Sequence, residues 1–166
     1  MVATRFIAAL VTSAGLVWAV ASAAERLPGP YPAKIERVVD GDTLAVQVAI
    51  WLGQELSVLV RIRGIDAPEL RGNCDSERVR AQTAASALEQ IVSDGEAVLT
   101  EIEGDKFFGR VVADVATSDG ADVADSLIAG HHARVYDGGA RQSWCDVGDA
   151  GGEPAATGSV GGSAPD

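Results

Sequence analysis

The sequence predicts a mainly β, α+β fold: one five-stranded Greek-key barrel with two or three α-helices packed against it. Three observations predict it. Short β-branched runs alternate in hydropathy between Gly- and Asp-rich turns, which is the period of half-buried strands. The element order reads three strands, a helix, two strands and another helix. The composition is 47% hydrophobic but only 5% aromatic, so the core has to be aliphatic.

The elements follow in order. Lys34 to Asp40 alternates and is β-branched, and predicts the first strand. Asp40-Gly41-Asp42 is a tight turn of the hairpin kind. Thr43 to Trp51 predicts a second strand with Leu44, Val46, Val48 and Ile50 on one face. Gly53 turns the chain, and Glu55 to Ile65 predicts a third strand. Asp75 to Ser93 predicts a helix, with Ala81, Ala84, Ala85, Leu88, Ile91 and Val92 as its apolar stripe. Asp75 or Ser76 is its expected cap, and Gly95 its left-handed stop. Glu96 to Ile102 and Gly109 to Val115 predict two more strands. Asp122 to Ala129 predicts a short helix capped by Asp122, and His131 to Tyr136 an extended segment. This order fits the oligonucleotide-binding (OB) barrel.

The 166 residues leave room for one domain. Residues 1–23 read as a signal peptide: Arg5 first, an apolar run from Phe6 to Val20, then small residues at Ala21-Ser22-Ala23. The rival is an uncleaved anchor, because Phe6 to Ala24 is uncharged and just long enough to span a bilayer. Residues 24–33, rich in proline, read as an extended linker. Residues 34–146 form the expected domain, and 147–166 a disordered Gly/Ala/Ser/acid tail that buries too little apolar area to offset ordering. The expected location is the periplasm or the medium. There Cys74 and Cys145 are expected to pair, closing a loop worth about 4 kcal/mol in the chain-entropy model. The alternative is two buried thiols. The adjacent His131 and His132 have no zinc-ligand spacing.

The net charge is −11, with 13 Lys and Arg against 24 Asp and Glu. Such a chain cannot hold duplex nucleic acid through a broad basic surface, because phosphate neutralisation needs cations. A nucleic-acid enzyme with this balance has to capture substrate locally, through a few arginines and a metal ion.

The chemistry gathers in three places. Asp40-Gly41-Asp42-Thr43 puts two acids at a turn, and by itself reads as an ordinary hairpin. Val60 to Glu69, V-R-I-R-G-I-D-A-P-E, presents Arg61 and Arg63 and then Asp66 and Glu69 around one strand end. The plain reading there is two solvated arginines and a turn at Pro68. Asp105-Lys106-Phe107-Phe108-Gly109-Arg110 places another arginine at a strand start, beside a loop whose aromatic could simply close the barrel end. Hard cations take several oxygen ligands from more than one loop, and the guanidinium fork suits a phosphate.

Taken together, Asp-Gly-Asp-Thr, Arg-x-x-Gly-Ile-Asp-x-Pro-Glu, a helix and Asp-Lys-…-Gly-Arg resemble the staphylococcal nuclease (thermonuclease) family from about Lys34 to Cys145. The ending from Tyr136-Asp137-Gly138-Gly139 to Trp144-Cys145 is similar to its exported bacterial branch. The resemblance implies a calcium-dependent hydrolase cleaving phosphodiesters of DNA and RNA. The expected enzyme has low sequence specificity, takes single-stranded or unstructured substrate and acts as a monomer. The resemblance also implies Asp42, Asp66 and the carbonyl of Ala67 as calcium ligands, with Asp40 in the outer shell. Arg61 and Arg110 would hold the phosphate, and Glu69 would orient the attacking water. Lys106, Phe107 or Phe108, and Tyr136 would contact the nucleotide. The departures are the doubled Phe107-Phe108, a Phe where the family usually has Tyr, the extra residue at His131-His132, and no clear last helix. A Cys74–Cys145 bridge could stand in for that helix by tying the end of the domain to the first helix. The alternative is a binding module of the same fold that has lost its chemistry.

Overall fold

A computed structural model describes residues 25–145, and the predicted signal peptide and acidic tail lie outside them. The chain runs β1 (Arg26–Leu27), β2 (Tyr31–Asp40), β3 (Thr43–Trp51), β4 (Gln54–Ile62), β5 (Ile65–Asp66), α1 (Asp75–Ile91), β6 (Glu96–Gly104), β7 (Arg110–Thr117), α2 (Val123–Ala129) and β8 (Arg134–Val135). Strands β2, β3, β4, β7 and β6 pair in a ring that closes through β6–β2, and β1 adds to β6 from outside. All these pairings are antiparallel except β4 with β7. The OB-like α+β architecture expected from the sequence is therefore present, with two helices among the described residues.

The predicted linker is corrected. Its end is structured, because β2 starts at Tyr31 rather than Lys34, and Tyr31 to Lys34 pair with Leu99 to Glu96 to close the barrel. Pro32 suits the start of a strand, where one lost donor costs least. The third strand is also shorter than expected. It stops at Ile62, and Gly64 at φ +78° bends the chain before β5.

Alternate residues of the strands fill the barrel. Leu44, Val46, Val60, Ile62, Leu99 and Val115 are buried there, and Leu88 of α1 and Leu127 of α2 join the same core. Ile50 departs from the predicted inward face: it is exposed with Trp51 and Leu52, because the β3–β4 hairpin outruns the barrel. Helix α1 buries Ala81, Ala84 and Leu88 as its stripe predicts. Neither Asp75 nor Ser76 caps it. The N-cap position is Cys74, whose side chain makes no capping hydrogen bond, and Glu77 instead accepts the Asn73 N–H at 2.9 Å. Asp122 does cap α2, accepting the Asp125 N–H at 2.9 Å.

One bend was invisible in the sequence. Glu101 sits in the left-handed region at φ +50°, where the register of β6 on β7 shifts. This bulge lets β6 pair with β2 in its first half and β1 in its second.

Candidate active site

The β2–β3 turn supplies the first acid. Asp42 is only 3% exposed. Its Oδ1 accepts the Thr43 hydroxyl at 2.9 Å, and its N–H donates to Asp40 Oδ1 at 3.2 Å. Gly41 is needed for closeness rather than for an unusual φ. A Cβ there would lie 2.7 Å from the Ala84 Cβ and 2.9 Å from the Ala67 Cβ.

The β3–β4 register puts Arg61 opposite Thr43, at the mouth of this turn. Arg61 Nη1 lies 2.7 Å from Asp42 Oδ2, and Nη2 lies 3.9 Å from Asp66 Oδ1 while donating to the Ile65 carbonyl at 3.2 Å. One guanidinium therefore spans both acids. Arg61 is largely buried, so the solvated-charge reading fails for it. It fails for Arg63 too, which pairs with Glu103 and Asp114.

Asp66 is 4% exposed, on β5, which pairs with β8 as Asp66 opposite Arg134. Its Oδ2 accepts the Trp144 indole N–H at 3.0 Å. Its Oδ1 has Arg141 Nε at 3.0 Å but no aligned hydrogen-bond donor. The Ala67 N–H reaches Asp42 Oδ2 at 3.3 Å, which ties the two acidic bends together. Glu69 stands further out, half exposed, paired with Arg141. Its backbone N–H lies 3.5 Å from Glu77 Oε1, so the buried Glu77 holds the Glu69 loop to the start of α1.

Arg110 enters from β7. The parallel register sets it beside Leu59 on β4, on the same side as Arg61. Asp105 pairs with its Nε, and the Phe107 ring lies 4.6 Å from its guanidinium carbon. Lys106 Nζ lies 5.2 Å from the same ring. The structure separates the doubled aromatics: Phe107 lines the cleft and Phe108 points into solvent, so neither closes the barrel end. A cleft of about 840 Å³ gathers Asp40, Arg61, Glu69, Lys106, Phe107, Arg110, Tyr136 and Arg141 along its walls.

The donor set fits a hard cation. Two buried carboxylates from separate bends face the same guanidinium, and Asp66 Oδ1 is a buried oxygen without an aligned partner. Burial pushes the Asp42 carboxyl up to about 6, and the nearby Arg61 only partly opposes this. Such an acid gains most from a cation. Cys74, Glu77 and Cys145 also lie close together, but the two sulfurs are bonded to each other and offer no metal site.

A family model described as staphylococcal nuclease homologue matches residues 59–144, just over half of the chain. The chain belongs to the staphylococcal nuclease family. The match runs from β4 to Trp144, so it covers Arg61, Asp66, Ala67, Glu69, Arg110 and Tyr136, while Asp42 precedes it. Endonuclease YhcR of Bacillus subtilis (strain 168) is 28% identical over 115 residues, which is 65% of this chain and 9% of that protein. The chain thus spans under a tenth of the length of this relative.

Within this staphylococcal nuclease fold, the sequence reading missed Arg141, the indole bond of Trp144, Glu77, and the Asp105 partner of Arg110. Asp105 carried a signal as the head of the Asp-Lys-…-Gly-Arg motif, Glu77 as an acid in the first turn of the helix, and Trp144 as part of the Trp144-Cys145 ending; Arg141 carried none. The Cys74–Cys145 bond is present, with Cα atoms 5.9 Å apart. Tyr136 lies on the cleft wall, its hydroxyl donating to the Gly139 carbonyl at 2.8 Å.

Proposed function

We propose that this chain is an exported, calcium-dependent nuclease that hydrolyses phosphodiester bonds of single-stranded or unstructured DNA and RNA with low sequence specificity. The observation that carries the reading is the single guanidinium of Arg61 bridging Asp42 and Asp66, 2.7 and 3.9 Å away, at the edge of a cleft shared with Glu69 and Arg110. Asp42, Asp66 and the Ala67 carbonyl would hold the ion. When bound, it supplies Lewis-acid stabilisation of the charge that builds on the diester oxygens.

The side chains do the rest. Arg61 and Arg110 enter the cleft from neighbouring strands and hold non-bridging oxygens by their planar forks, more tightly as charge develops in the transition state. Lysine at position 61 would not substitute, since an ammonium cannot make two parallel bonds. Glu69, the most accessible carboxylate of the set, orients water and accepts its proton. Phe107 gives a base a stacking face, and Lys106 and Tyr136 flank it. The apolar segment before the domain supports export, and the enclosed disulfide is consistent with an oxidising compartment.

The test is turnover of heat-denatured DNA and of RNA, with calcium and then with excess chelator. Cleavage should require calcium. Glu69→Gln and Arg110→Ala should keep the fold and each lose about 10²-fold or more in kcat, the scale of a lost electrostatic or proton-transfer group. Full activity in chelator refutes the metal role. Full rate in both variants refutes the residue assignment, and binding without cleavage would identify an inactive module.

A further inference from the structure

After β8 the chain from Asp137 to Cys145 returns to the acidic bends without regular structure: Arg141 pairs there with Asp66 and Glu69, and four further contacts hold its end. Arg134 donates to the Ser143 carbonyl at 3.0 Å, and its guanidinium lies 3.6 Å from the Trp144 ring centre. Arg80 of α1 donates to the Trp144 carbonyl at 2.9 Å. Cys145 is bonded to Cys74 at the N-terminus of α1. The fourth hold is Trp144 Nε1 on Asp66 Oδ2 at 3.0 Å. Trp144 is 8% exposed, and among the described residues this is the hydrogen bond that Asp66 Oδ2 accepts.

A carboxylate can turn about its Cβ–Cγ bond, and a donor on one oxygen stops that rotation. The other oxygen then faces a fixed direction. Here Oδ2 is taken by the indole, and Oδ1, which lacks an aligned donor, is left facing the recess shared with Arg61 and Arg141. Groups that orient a ligand from behind typically change metal affinity 10–100-fold when lost.

We propose that Trp144 is a positioning residue for the cation-binding carboxylate of Asp66, and that the Cys74–Cys145 bridge keeps the indole in place, so that cation affinity depends on a disulfide one residue along the chain from the ring. This rests on the metal-site reading above. The bridge matters because it fixes the residue next to Trp144 covalently, whereas Ser143 is exposed, no strand or helix spans residues 137–145, and the neighbouring carbonyls are held by single hydrogen bonds from Arg134 and Arg80.

The test is calorimetric titration of calcium into the full oxidised chain, as wild type and as Trp144→Phe, which keeps a ring and removes the N–H. Trp144→Phe should bind calcium at least tenfold more weakly, while its far-ultraviolet dichroism matches wild type. Removing the bridge as Cys74→Ser with Cys145→Ser should weaken calcium binding in the same direction. Adding Trp144→Phe to that double variant should then cost less than it does in wild type, because the two act through one contact. A measurement needing no variant runs beside these. The Trp144 indole proton resonance of the wild type should move on calcium addition, while that of Trp51, exposed on the β3–β4 hairpin, should not. Wild-type calcium affinity in Trp144→Phe, or an unmoved Trp144 resonance, overturns the positioning role and leaves the metal site standing. A wild-type chain that binds no calcium overturns the metal site and this proposal together.

Discussion

Asp42 illustrates what one residue costs and gains in this site. Burial raises its carboxyl to about 6, against an ordinary value of 3.8, with Arg61 opposing. The folded metal-free state therefore holds the Asp42 proton more firmly than the unfolded chain does. The Asp42 contribution to stability falls as pH rises from about 4 to 6, and the penalty is complete above 6. Comparing metal-free wild type with Asp42→Asn by chemical denaturation isolates this group. The balance should shift toward the Asn variant as pH rises through that window and stay level above it; a shift the other way would mean that Arg61 outweighs burial. Single residues were legible here where chemistry is local. Asp42, Asp66, Arg61 and Arg110 were all readable from motif and spacing; the structure sets Arg61 between the two buried aspartates and puts Arg61 and Arg110 on the wall of one cleft. Arg141 was not readable, because its partners Asp66 and Glu69 lie more than seventy residues away and nothing in Gly-Ala-Arg-Gln-Ser marks it.

Elements aim these residues, and turns do so more than strands. The β2–β3 turn, the bend at Gly64 and the start of β7 each end a strand at the same side of the barrel. Gly41 allows the first of these to sit directly on Ala84 of α1 and on Ala67. Gly41→Ala should lower stability by about 1–3 kcal/mol, the usual cost of overpacking a fitted contact, seen as a lower urea midpoint at unchanged slope. It should also weaken calcium binding, since the same contact sets Asp42 against Ala67. A neutral result would mean that the turn can lift away from α1. Strand and helix identity followed from hydrophobic period, as in the alternation of β3 and the Ala81, Ala84, Leu88 stripe of α1. Their ends did not. β2 starts inside the expected linker because Tyr31 to Lys34 find partners in β6, and pairing of that range depends on a strand sixty residues later.

At the scale of the whole molecule, charge governs the encounter with substrate. The chain carries −11, so its far field repels a polyanion, while the arginines in the cleft act only at short range. Monovalent salt screens the long-range term first. At fixed free calcium, kcat/KM on single-stranded DNA should therefore rise or hold level as sodium chloride goes from about 10 to 100 mM, where the screening length drops to roughly 10 Å. A steep fall from the lowest salt, as for proteins that bind through a basic surface, would show that the local cations dominate at every distance. By itself the sequence determined the barrel class, the order of its elements, and Asp42, Asp66, Glu69, Arg61 and Arg110 as candidate acids and arginines, because hydrophobic period and turn chemistry are written over a few neighbouring residues. Only the tertiary structure decided that Arg61 spans both aspartates, that Phe107 rather than Phe108 lines the cleft, and that Trp144 reaches Asp66. Those contacts join segments far apart in the chain, and their geometry is set by strand register and by a disulfide that closes 71 residues of separation.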